Sequence, residues 1–118
     1  MKRELQLRSG TLVLECNAAT PLVGKRIFNF DFLQFFGKIG DLESGDQIDK
    51  FERIAFTMAM QAEKPLKEAM DATEDEFIIW LSQFDFDEMT NTILKAAVEL
   101  WSGNQNATSK AKNPSAPQ

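Results

Sequence analysis

The run DQIDKFERIAFTMAMQAE at residues 46–63 decides how the rest of the chain has to fold. Ile48, Phe51, Ala55, Met58 and Ala62 recur at spacings of three and four, the period of an amphipathic helix. Ile54, Phe56 and Met60 fall off that stripe and widen the apolar surface well beyond one face. Such a helix either lies at the centre of the fold or offers part of its surface to a partner. Ser44, with Gln47 three residues later, has the form of a capping box that opens it, and Pro65 stops it.

Upstream, residues 28–39 carry Phe28, Phe32, Leu33, Phe35, Phe36 and Ile39 at roughly helical spacing, ended by Gly37 and Gly40. Residues 18–21 form a connector, with Pro21 suited to the first turn of a short helix. Residues 4–17 alternate instead, with Leu5, Leu7, Leu12 and Leu14 placed around Ser9-Gly10, which predicts a two-stranded hairpin. An isolated hairpin is marginal in water, so its leucine face has to lie on the helices.

Downstream of Pro65, residues 64–72 are a connector or a single helical turn. Thr73 with Glu76 is a second capping box, opening a helix over 74–84 with Phe77, Ile78, Leu81 and Phe84 on one face and Trp80 beside them. Asp85 with Glu88 repeats the device before a last helix over 86–102, where Met89, Ile93, Ala96, Ala97 and Leu100 form the stripe and Gly103 the stop. Residues 104–118 contain no large apolar side chain and are expected to be a disordered tail. The expected fold is mainly α: one domain over 1–103, a small bundle of about four to five helices with an N-terminal β-hairpin.

At 43% hydrophobic and 26% charged, the chain has the balance of a globular protein. The charge is −5; the tail holds Lys110 and Lys112 and no acid, so the body carries eleven basic against eighteen acidic residues, a charge of −7. That field repels phosphate backbones and anionic membrane surfaces, so neither nucleic acid nor a membrane is an expected partner. Cys16 is the only cysteine, which excludes an internal disulfide, and no apolar run approaches the ~20 residues that span a bilayer. A reducing cytosol is the expected location.

The chain has no histidine, which removes the usual general base and the commonest neutral metal ligand. Cys16 lacks a cationic sequence neighbour that would activate it and reads as an ordinary half-buried thiol. The acidic clusters at 71–76 and 85–88 sit at helix starts, where capping and the helix dipole account for them. Residues 41–52 imitate a calcium loop, but glycine stands at loop position five and aspartate at six, the reverse of what the turn and its ligands require. No catalytic residue, metal site or cofactor is therefore expected, and no enzyme activity.

What remains is the surplus of ten Phe and five Met. A small helical domain needs most of these side chains inside. It cannot bury every face of two Phe-rich helices, however, and the remainder would form an adaptable groove for an apolar helix. Phe35, Phe36, Phe56, Met60, Trp80, Phe86 and Trp101 are the candidate partner-binding residues. The acidic body favours partners with basic amphipathic helices.

Several stretches, taken in order, resemble the tail assembly chaperones of long-tailed phages and prophages of Gram-positive hosts. They are the hairpin exit Leu14-Glu15-Cys16-Asn17-Ala18-Ala19-Thr20-Pro21, then Lys25-Arg26-Ile27-Phe28 and Ile54-Ala55-Phe56-Thr57-Met58-Ala59. Phe77-Ile78-Ile79-Trp80-Leu81, Phe84-Asp85-Phe86 and Leu100-Trp101-Ser102-Gly103-Asn104 follow. The resemblance implies a mainly helical protein of the host cytoplasm, absent from the mature virion. It would bind and solubilise the tape measure protein, help recruit major tail tube subunits and self-associate along its client. A frameshifted longer form is common in that family, and Lys110-Ala111-Lys112 would suit such a junction. The alternatives are a phage- or prophage-encoded helical regulator of a host protein and a calcium-binding helical module.

Overall fold

The computed structural model describes residues 1–29, 31–32 and 45–112, with side chains in the last span described for 48–103. The protein is mainly α with an antiparallel hairpin at its N-terminus. Strands β1 (Lys2–Leu7) and β2 (Gly10–Glu15) pair with Leu5 opposite Leu12 and Leu7 opposite Gly10, leaving Arg8 and Ser9 as the turn. Gly10 takes φ of +129°, a conformation that a side chain resists. Directly opposed residues share a face, so Leu5, Leu7, Leu12 and Leu14 all point the same way. That face lies on the helices, as an isolated hairpin requires, and buries Leu5 and Leu14 fully.

Helix α1 (Thr20–Phe28) is the short helix for whose first turn Pro21 is suited, and it ends where the helix expected over 28–39 was to begin. Pro21 lies in its first turn, while Asn29 in the left-handed region ends it and donates its N–H to the Lys25 carbonyl. Most of the helix expected over 28–39, with Phe35 and Phe36, lies outside the described residues, as does the Ser44–Gln47 capping pair.

Helix α2 (Gly45–Glu63) is central: β2, α1, the two helices after it and the last helix all lie against it. Every residue from Ile54 to Gln61 is buried, so the residues that fall off the stripe face other elements of the same chain. Since α2 begins at Gly45, the second part of the calcium-loop-like stretch is helical and lacks the sharp turn that position six of such a loop requires.

Helices α3 (Leu66–Met70) and α4 (Glu74–Leu81) follow Pro65. The capping box at α4 is complete: Thr73 Oγ1 accepts from Glu76 N–H at 3.2 Å and Glu76 Oε1 accepts from Thr73 N–H at 2.9 Å. α4 is shorter than the expected 74–84 and its apolar side is rotated: Phe77 and Trp80 are buried, whereas Ile78, expected on the buried face, is 56% exposed. Helix α5 runs in three pieces, Phe86–Glu88, a π-helical turn Met89–Ile93, and Leu94–Lys112. Asp85 Oδ1 accepts the Glu88 N–H at 2.7 Å, but Glu88 does not reach back to complete a box. Its buried carboxylate accepts the backbone N–H of Arg8 at 2.9 Å, anchoring the hairpin turn to α5. The last helix passes Gly103, where it was expected to stop, and runs on to Lys112 through part of the expected tail; residues 113–118 lie outside the described residues.

A file of rings crosses the core from α1 to the end of α4. Phe28–Phe77, Phe56–Phe77, Phe56–Trp80 and Trp80–Phe84 meet edge to face at centroid distances of 5.1 to 5.5 Å. Where the hairpin leads into α1, the buried Thr20 hydroxyl donates to Gln61 Oε1 at 2.6 Å and Gln61 Nε2 donates to Asn17 Oδ1 at 3.1 Å. This network satisfies polar groups that burial would otherwise penalise.

Candidate functional site

The leucine face of the hairpin is longer than the layer that covers it. Near the open end Leu5 and Leu14 are buried, but towards the turn Leu7 and Leu12 remain half-buried. The opening beside them is a groove of about 320 Å³ between the hairpin turn, the C-terminal half of α2 and one side of α4. Phe56, Met60, Trp80 and Phe84 supply its apolar floor, Leu7 and Leu12 one wall, and Ile79 the opposite rim. On α4 the lining residues are Glu76, Ile79, Trp80 and, just past its end, Gln83, the stripe of a single helix face.

The charged lining consists of Glu63, Lys64 and Glu76. Lys64 Nζ lies 3.3 Å from Glu76 Oε2, while Glu63 has no cationic partner among the described residues. The backbone N–H of Thr73, and then the Lys64 ammonium, hold the Glu76 carboxyl below the usual glutamate range. Glu76 is thus kept ionised, which suits attraction of a cation and is opposite to what a general acid near neutrality needs. Cys16 is fully buried rather than half-buried, and burial pushes its thiol pKa up despite a hydrogen bond involving Thr20. Among the described residues no cluster of three or more His, Cys, Asp or Glu could hold a metal, and no helix is long and apolar enough to cross a membrane.

Of the residues expected to bind a partner, Phe56, Met60 and Trp80 are brought together as the groove floor, though each is buried and shows the opening little more than an edge. Phe86 is 67% exposed at the start of α5 and does not line the groove. Trp101 is buried on α5, away from the groove. Phe35 and Phe36 lie outside the described residues. Leu7, Leu12, Ile79 and Phe84 are groove residues that the sequence reading did not single out as a site. The signal for the leucines was the strand alternation, which continues to the turn beyond the reach of any helix; Ile79 had only its place in an apolar run.

The chain matches no protein-family model, no curated protein and no solved structure. Residues from three of the stretches quoted above line the groove: Phe56, then Ile79 with Trp80, and Phe84.

Proposed function

We propose that the protein is a client-holding chaperone of phage tail assembly, which binds and solubilises a tape measure protein in the host cytoplasm and is left out of the finished virion. The observation that carries this reading is an open groove with an apolar floor and a polar, charged rim on an acidic molecule. An apolar floor takes the side chains of an aggregation-prone helix, and net negative charge keeps protein and client in solution. Ile78, Ile79 and Phe86 add exposed apolar surface on the α4 side and the start of α5. Recruitment of tail tube subunits and self-association belong to the same reading and are drawn from the family resemblance alone.

Co-expression tests it. The long helical protein encoded beside this one should be insoluble when produced alone and should co-purify with this chain when both are produced together. If the client stays insoluble in the presence of the full chain, or no such protein is encoded nearby, the reading is lost.

A further inference from the structure

The groove has a length, a charge and a depth, and together they specify an occupant. From Glu76 to Gln83 the lining face of α4 extends about 10 Å at the helical rise of ~1.5 Å per residue. That is the distance between the first and last side chains of an i, i+4, i+7 stripe on a second helix. About 320 Å³ lies at the small end of ligand pockets, enough for a few anchoring side chains and small for a cofactor. At the rim Glu63 lacks a cationic partner among the described residues and Glu76 pairs with the half-buried Lys64, so the mouth is net anionic.

A second copy of the chain is a poor occupant. Its exposed Ile78, Ile79 and Phe86 stand beside Glu74, Asp75, Asp85 and Asp87, and would bring acid against acid. Among the described residues its other exposed large apolar side chains, Met1, Leu22 and Leu66, are single residues in separate parts of the fold and give no i, i+4, i+7 stripe.

We propose that the groove under the hairpin turn docks a cationic amphipathic helix of a partner protein. Its apolar anchors at i, i+4 and i+7 lie between Leu7 and Leu12 on one side and Ile79 on the other, and its Lys or Arg side chains meet Glu63 and Glu76. This rests on the client-holding reading and adds to it the surface used and the sequence pattern recognised.

The test titrates the isotope-labelled full chain with three alanine-based helical peptides. One carries Leu at i, i+4 and i+7 with flanking Lys, the second has Glu in place of each Lys, and the third has Ser in place of each Leu. The Lys–Leu peptide should shift the amides of residues 7–12 and 76–83 and bind at least about tenfold more tightly than either control. Raising the salt to about 0.5 M should narrow its lead over the Glu peptide. Ile79→Ser should weaken binding, and Glu63→Lys should weaken it for the Lys peptide alone; both positions are exposed, so circular dichroism should remain that of the wild type. Equal binding of the Lys and Glu peptides, shifts centred elsewhere, or no binding would overturn the proposal. So would concentration-dependent shifts of the same amides without peptide, which would show a second copy in the groove. Co-purification with the tape measure protein separates this proposal from the reading beneath it. A complex that survives Ile79→Ser and Glu63→Lys refutes this surface and leaves the chaperone reading standing, whereas peptide binding in a chain that holds no tape measure client does the reverse.

Discussion

Arg53 lies between two aromatic faces, its guanidinium carbon 4.9 Å from the ring centroids of both Phe28 and Phe77. Its nitrogens reach Glu74 at 2.9 Å and Asp49 at 3.3 Å. One side chain thus ties α1, α2 and α4 together, through ring faces that a lysine would engage less well. Gly24 plays the opposite part by leaving room. A methyl group there would overlap the ring of the fully buried Phe32. Gly24→Ala should lower stability in urea by about 1–3 kcal/mol despite the better helix propensity of alanine, and adding Phe32→Leu should recover part of the loss. An unchanged midpoint for the single variant would show that the ring is free to move. Cys16 offers a readout of the whole fold. Its thiol should resist a thiol-reactive disulfide reagent in native buffer and react at the rate of global opening. Because burial raises its pKa, the unfolded thiol ionises first as pH rises. The contribution of the neutral buried form is full below the ordinary thiol range and is lost on passing up through the folded pKa. Rapid labelling in native buffer would contradict the placement of Cys16.

Among the elements, the π turn Met89–Ile93 makes the sharpest prediction. A π turn accommodates one extra residue inside a helix while both flanks keep their packing, here Glu88 before it and Leu94, Ala96 and Ala97 after it. Deleting the exposed Asn91 should therefore convert the turn to regular α-helix and move the melting temperature by no more than about 5 °C. Deleting Lys95 from the α-helical part should rotate everything beyond it by about 100° and carry Ala97, Leu100 and Trp101 off the core. Loss of cooperative unfolding for the Lys95 deletion alone is the expected result; equal damage from both would refute this account of the turn. The contrast also shows what the sequence could carry. The hairpin, α2 and the start of α4 were legible because strand alternation, a three–four period and the Thr73–Glu76 box are all local. The π turn was not, because an inserted residue resembles a slightly irregular stripe. The rotation of α4 was missed for a related reason. Phe77, Ile78, Ile79, Trp80 and Leu81 are five apolar residues in a row, so periodicity could not choose the buried side; the position of Phe56 on α2 chose it. The groove shares that cause, since its walls come from three elements and no local pattern joins Leu7 to Ile79.

For the whole molecule, the anchoring of the hairpin turn to α5 sets the shape of the groove mouth. Arg8 contributes in two ways: its guanidinium lies 3.1 Å from Asp85 in an exposed pair, and its backbone N–H donates to the buried Glu88 carboxylate. Exposed pairs contribute little, so Arg8→Ala should cost less than about 1 kcal/mol. Glu88→Ala leaves that N–H without its acceptor and should cost about 1–2 kcal/mol, with the largest loss of hydrogen-exchange protection at residues 7–12. If Arg8→Ala proved the more damaging, the guanidinium would be the main tie.

The same tie joins residues 80 positions apart, and Arg3 reaches Glu99 across 96. At ~5–20 residues per second a ribosome needs roughly 4–16 seconds to make the chain between Arg8 and Glu88. The hairpin turn is thus secured to the last helix only after that interval, although its leucine face can already lie on α2. Until then the turn is held by no tie to α5, so the yield of the protein should respond to the supply of the cell's general holding factors before its melting temperature gives any sign of weakness.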